Sequence, residues 1–145
     1  MQGLFQHWQV WALLSAAFAA LTAIFAKVGI TGINSDLATL LRTGVILAAL
    51  AILVLATGQW QPLGQLPGKS LWFIVLSGLA TGASWLCYFR ALKLGDASRV
   101  APLDKLSVVL VAIFAAVFLG ERLATVQWAG VALIAAGAVL VAWKA

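Results

Sequence analysis

The chain is poor in the residues from which active sites are built. Its 145 residues include one cysteine, one histidine and four acids. A single thiol, Cys87, excludes an intrachain disulfide and a cysteine metal cluster. With His7 alone there is no HExxH pair, and neither paired carboxylates at catalytic spacing, a phosphate loop nor a set of groups for Ser-His-Asp chemistry is present. No enzyme, cofactor or metal site is expected. Charge is scarce as well: 9% of residues are charged, against about a quarter in an ordinary soluble domain. The net charge of +5 comes from dispersed cations with no basic patch interleaved with aromatics, which argues against nucleic acid as a partner.

What the chain has instead is apolar length. Hydrophobic residues make up 64% of it, a composition that belongs in a lipid bilayer. Turn chemistry divides it into five segments near the roughly 20 residues that a helix needs to cross the hydrocarbon core. They run over about 8–28, 36–57, 70–94, 97–119 and 124–143. The first continues past the length of a signal-peptide core and is read as a retained helix. It stops at GITGINSD, where Gly29 and Gly32 break the helix and Asn34, Ser35 and Asp36 offer caps for the next. No stretch is left over for a soluble domain, so the expectation is an all-α integral membrane protein of five transmembrane helices in one domain, 1–145.

Five spans place the termini on opposite sides of the bilayer. Lys69 and Arg122 fall on the N-terminal side. Lys27, Arg42, Arg90, Lys93, Arg99, Lys105 and Lys144 fall on the other. Counting loops and helix ends alone leaves Lys69 and Arg122 against Lys27, Lys93, Arg99 and Lys144, and the positive-inside rule then puts the C-terminus in the cytoplasm. The bias is modest enough to permit insertion both ways round. The tryptophans Trp8, Trp11, Trp60, Trp72 and Trp128 near one face and Trp143 near the other form the interfacial belt.

Charges inside the spans pose the main question. At about 1.5 Å per residue, Arg42, Arg90 and Asp104 lie roughly 8–12 Å inside the same face. Each costs up to about 3 kcal/mol toward the bilayer centre, so they are expected to meet: Asp104 with Arg42 or Arg90. Lys105, adjacent to Asp104 and about 100° away around a helix, is not expected to pair with it. Lys27, Arg90 and Lys105 have a plainer alternative, which is to snorkel to headgroups. Pro102 removes the amide that would bond the Ser98 carbonyl, and irregular backbone at this depth survives only in protein or beside water; its place in the first turns of the helix leaves a cheaper accommodation open. Ser77, Thr81, Ser84 and Tyr88 form a polar stripe at i, i+4, i+7 and i+11, suited to a cavity wall or to helix contact. Trp85 falls about 15 Å from Gly95 and so near the midplane, facing either a substrate or the core.

From Ala91 to Val141 the sequence ALKLGDASRVAPLDKLSVVLVAIFAAVFLGERLATVQWAGVALIAAGAVLV resembles the last two helices of an EamA domain of the drug/metabolite transporter superfamily. The LGER turn at Leu119 to Arg122 and QWAG at Gln127 to Gly130 are its most specific pieces. FAKVG at the end of the first span and YFRALKLG at the end of the third extend the resemblance over the whole chain. Larger members carry two such domains as an inverted repeat and move amino acids, metabolites or drugs; this chain holds one. Their mid-helix proline in the fourth span is absent from KLSVVLV here. The small multidrug resistance proteins, four-helix relatives, exchange protons for cationic drugs through an acid in helix 1, and VWALLSAAFAALTAIFAKVG has none. Glu121, the acid that the family keeps in its helix 4 to 5 turn, is read as structural, beside the N-terminal dipole of the fifth span.

The resemblance implies a secondary transporter, an exporter of the inner (plasma) membrane, with a cavity lined by the first four helices. The embedded charges are net positive, which favours an anionic or zwitterionic metabolite. Candidate cavity residues are Arg42, Trp85, Ser77, Thr81, Ser84, Tyr88, Arg90, Asp104 and Lys105. A one-domain member is expected to recruit its second half as a homodimer, antiparallel if both insertions occur, and to work by alternating access. Gly130 and Gly137, seven apart in the fifth span, are the candidate dimer contact. The opposing expectation is a non-transporting partner subunit or lipid-head-group carrier.

Overall fold

A computed structural model describes residues 7–143; Lys144, counted among the orienting charges, lies outside them. The helices are α1 (Trp8–Gly29), α2 (Ser35–Ala56), α3 (Gly68–Leu94), α4 (Ala97–Asp104), α5 (Ser107–Phe114) and α6 (Thr125–Ala142). A 3₁₀ turn at Leu63–Gln65 precedes α3, and one π-helical turn, Ala115–Leu119, follows α5. With α4, α5 and the π turn taken as one span, five helical segments are long and apolar enough to cross a membrane. No strand occurs among the described residues. The protein is a multi-pass, all-α membrane protein.

The chain forms two compact units: one contains Val28–Lys93, the other the residues up to Lys27 together with those from Leu94 onward. In the first unit, α2 begins where the sequence supplies a cap. Asn34 is extended at φ −69°, ψ 135°, and its Oδ1 accepts from the amides of Asp36 at 2.8 Å and Leu37 at 3.4 Å. Two donors that the helix start would otherwise leave open are thereby satisfied. At the far end Thr57 closes the helix and Gly58 follows at φ +66°, a left-handed conformation that glycine adopts without a Cβ penalty. Burial in this unit is one-sided. Ile30, Ser35, Ala38, Thr39, Phe89 and Leu92 are the buried residues, all in the turn before α2, at the start of α2 or at the end of α3, and Leu92 is wholly inaccessible.

In the second unit α4, α5 and α6 run close together. Alanine dominates the contacts: Ala23, Ala26, Ala115 and Ala138 are its buried residues, as expected where membrane helices pack through small side chains. Two cations tie down helix ends. Lys27 Nζ donates to the Gly95 carbonyl at 2.7 Å, and Arg99 donates through Nε and Nη2 to the Ala142 carbonyl at 3.2 and 2.7 Å. Carbonyls at helix ends have no intrahelical donor, and a basic side chain supplies one. Lys27, for which snorkelling to headgroups was the alternative, thus has a protein acceptor.

The fourth span is interrupted. Pro102 has no amide to give, and two residues later α4 ends; Lys105 N–H then bonds the carbonyls of Ala101 at 3.3 Å and Pro102 at 3.1 Å. Further i to i+3 bonds, Leu106 to Leu103 and Val108 to Lys105, tighten the chain before α5 resumes. The span thus loses its continuity just beyond the proline, at Lys105 and Leu106. At the other end of the span, Gly120 at φ +70° lets the chain turn, and the Glu121 amide bonds the Ala115 carbonyl at 3.1 Å. Gln127 Oε1 accepts from the Ala124 amide at 2.7 Å, which caps α6 from its first turn.

Candidate functional site

The start of α2 and the end of α3 carry the most specific side-chain contacts of the Val28–Lys93 unit. Arg90 grips Asp36 fork to fork, Nε to Oδ1 at 3.0 Å and Nη2 to Oδ2 at 2.7 Å. Beside it Lys93 Nζ donates to the Ile33 carbonyl at 2.8 Å. One to two turns further in, the Arg42 guanidinium carbon sits 4.1 Å from the centroid of the Trp85 ring and 5.5 Å from that of Phe89. As numbering rises from Asp36 to Arg42, partners fall from Arg90 to Trp85, so the two helices are antiparallel.

Asp104 was expected to pair with Arg42 or Arg90, and this is corrected: Arg90 binds Asp36. Asp36 is in the first turn of α2 and Arg90 one turn from the end of α3, so the two reach one level without crossing lipid. Asp104 lies 3.6 Å from Lys105 Nζ, which also corrects the expectation that neighbours in sequence would not pair. Lys105 stands just past the end of α4, at ψ −4°, where the side-chain separation of a regular helix no longer holds. Arg42 finds aromatic rings rather than a carboxylate.

Arg42 and Trp85 are therefore brought together, as a cation on an aromatic face, an interaction worth about 0.5–2 kcal/mol. Unlike Arg90 and Lys93, Arg42 is hydrogen-bonded to no acceptor among the described residues. A guanidinium carries five N–H donors in its plane, and a ring beneath it satisfies none of them in the way an oxygen would. The arrangement can receive a carboxylate or phosphate.

The polar stripe lies elsewhere on α3. Ser77, Thr81 and Ser84 are exposed and Tyr88 half-buried, one position, or about 100°, round the helix from the stripe that includes Trp85 and Phe89. Thr81 Oγ1 donates to the Ser77 carbonyl at 2.8 Å, so this hydroxyl is satisfied within its own helix. Tyr88 makes an edge-on contact with Phe89, centroids 6.4 Å apart. In the other unit, Gly130 and Gly137 both face open space: a Cβ at either would meet nothing within 4 Å.

Sequence reasoning missed two residues here. Phe89, 2% exposed, looked like any apolar residue of a span. Asp36 was absorbed by a sufficient explanation as a cap-region acid. Its depth, matching that of Arg90 from the same face, was the signal that could have found it.

These five spans, the α2–α3 contacts and the broken fourth helix define a small helical membrane protein with a charged residue presented at membrane depth. The EamA-like transporter family model matches residues 6–143, and the chain belongs to that family. It is 69% identical over 137 residues to a Sinorhizobium sp. protein described as an uncharacterized transporter in the cobO 3' region, a match covering 94% of this chain and 97% of the relative. No solved structure matches. The protein is thus a member of a membrane transporter family.

Proposed function

We propose that this protein is a secondary transporter that exports an anionic or zwitterionic metabolite across the inner membrane, with Arg42 as the group that receives the anion. The observation that carries this reading is the Arg42 guanidinium, held on Trp85 with its N–H donors not engaged by any acceptor among the described residues. A charge at membrane depth is costly, and one left without a counter-ion marks a substrate or ion pathway by default. The neighbouring cations are spoken for: Arg90 by Asp36 and Lys93 by the Ile33 carbonyl. Trp85 and Phe89 fix the guanidinium in place, so little side-chain freedom is lost when the anion arrives. Asp104 and Lys105, at the break in the fourth span, are a second charged feature of the kind that discontinuous transporter helices present.

The working unit is a homodimer that operates by alternating access, with the C-terminus cytoplasmic in at least one of the two copies. Five spans are few to enclose a substrate and offer it to both faces in turn, and transporter folds meet this need with paired repeats. The space beside Gly130 and Gly137 supports α6 as the contact, since Val126, Leu133 and Leu140 on neighbouring turns are also exposed and glycines permit close approach of helices. Catalysis forms no part of this reading. Purified protein reconstituted alone in liposomes tests it: saturable flux of an anionic member of a metabolite panel, weakened by Arg42→Gln, is expected. An inert protein that copurifies with another polypeptide would favour the partner-subunit reading, and crosslinking of Gly130→Leu and Gly137→Leu variants tests the dimer contact separately.

A further inference from the structure

We infer that the Asp36–Arg90 bridge is a gating latch, which holds the start of α2 against the end of α3 and must open for the substrate to pass that end. This rests on the transporter reading above. Alternating access requires one end of the pathway to be closed while the other is open, and the contacts that close an end must be able to break.

The α2–α3 pair has such an asymmetry. At one end Arg90 and Asp36 form two charge-assisted hydrogen bonds and Lys93 holds the Ile33 carbonyl. Charge-assisted bidentate pairs are directional and geometrically specific. This one is nonetheless not enclosed by protein, with side chains 60% and 46% exposed, and an exposed pair is weak enough to open. Contacts with those two properties suit a closure that forms in one geometry and is released on demand.

The latch is also connected to the proposed anion site. Phe89, which Arg42 approaches to 5.5 Å, immediately precedes Arg90 in the chain. Arg42 stands six residues from Asp36, about 9 Å along α2. An anion received by the Arg42 guanidinium where it rests on Trp85 and Phe89 is bound between the same two helix ends that the latch joins. Binding and release are thereby linked through two adjacent residues of α3 rather than through a distant relay.

A buried thiol reports the state of the latch without any substrate. Thr39 is buried one turn inside Asp36 and hydrogen-bonds only its own helix, through Oγ1 to the Ser35 carbonyl. Thr39→Cys in a Cys87→Ser background, in proteoliposomes with a membrane-impermeant maleimide on both sides, should label slowly. Asp36→Asn and Arg90→Gln should each raise the rate about fivefold, in keeping with an exposed ion pair. Arg90→Gln leaves the first turn of α2 intact, so it reads the latch without altering that helix start. The reciprocal Asp36→Arg, Arg90→Asp protein should label within about twofold of the starting protein, as restored pairing requires. A thiol introduced instead by Ala26→Cys, buried in the other unit, should stay protected throughout, which separates gate opening from unravelling. An unchanged rate in Arg90→Gln, or a swapped protein that labels as fast as the single variants, overturns the latch. Because labelling needs no substrate, that result in a protein that still moves anions defeats the latch alone, whereas absence of flux in the unmodified protein defeats the transporter reading and the gating role with it.

Discussion

The two ends of the α2–α3 pair are built differently. Where α2 starts and α3 ends, a capped helix terminus, a bidentate ion pair, a lysine on a carbonyl and an arginine on two aromatic rings occur within about two helical turns. The opposite end, from Leu53 through Trp72, has Thr57 bonded to the Leu53 carbonyl within its own helix and a glycine turn, and none of its large apolar side chains is buried. Composition does not explain this, since both ends are rich in leucine. In a bilayer, apolar side chains gain little by leaving lipid for protein, and helices associate through close packing and polar contacts. The polar contacts are at one end, and so is the burial.

The largest effect expected from this difference is on packing. Leu92→Ala removes a wholly enclosed side chain and should lower stability by about 2–5 kcal/mol, counting the cavity it leaves. Leu53→Ala, at the exposed end, should change it by no more than about 0.5 kcal/mol. Thermal unfolding of both variants in nanodiscs makes the comparison, and equal losses would break it.

A smaller effect should appear in binding. Trp85→Leu deprives Arg42 of the ring beneath it and should weaken anion affinity by roughly two- to thirtyfold, the equivalent of a cation–π contact of about 0.5–2 kcal/mol. Equilibrium binding of the best substrate from the metabolite panel measures it, and an unaltered affinity would mean that the ring does not hold the guanidinium for the anion.

The two helix termini sharpen the contrast further. Asn34→Ala takes away the cap of α2 and should cost about 1 kcal/mol. At the other terminus Thr57→Ala, whose hydroxyl is exposed and bonded only within its helix, should stay within about 0.5 kcal/mol of the unmodified protein. A thermal scan of the pair distinguishes a structured end from one that lipid and water simply cover.

The sequence made the spans legible because a bilayer imposes a length and a composition on every crossing helix. It also made the depth of Arg42 and Trp85 legible, since rise per residue is fixed. Which side chains would meet was harder. Asp36 and Arg90 are 54 positions apart, no period links them, and the run Asn34–Ser35–Asp36 already accounted for the acid as part of a helix start. Asp104 was the more conspicuous candidate only because it lies deeper in an apolar run. Pro102 signalled trouble in the fourth span, but where the helix would end was set by the 3₁₀ bonds beyond it. Phe89 left no trace at all, because a buried phenylalanine and one facing lipid are written with the same letter.

The most direct test of Arg42 as an anion receptor compares an organic acid with its neutral amide. Equilibrium binding to the purified protein in nanodiscs should favour the acid by at least about tenfold, the scale of a hydrogen bond to a charged group. Arg42→Gln should abolish that preference while lowering stability by no more than the cation–π contact supplies, about 0.5–2 kcal/mol. If the amide bound as well as the acid, or the preference for the acid survived Arg42→Gln, Arg42 would not be the residue that receives the anion.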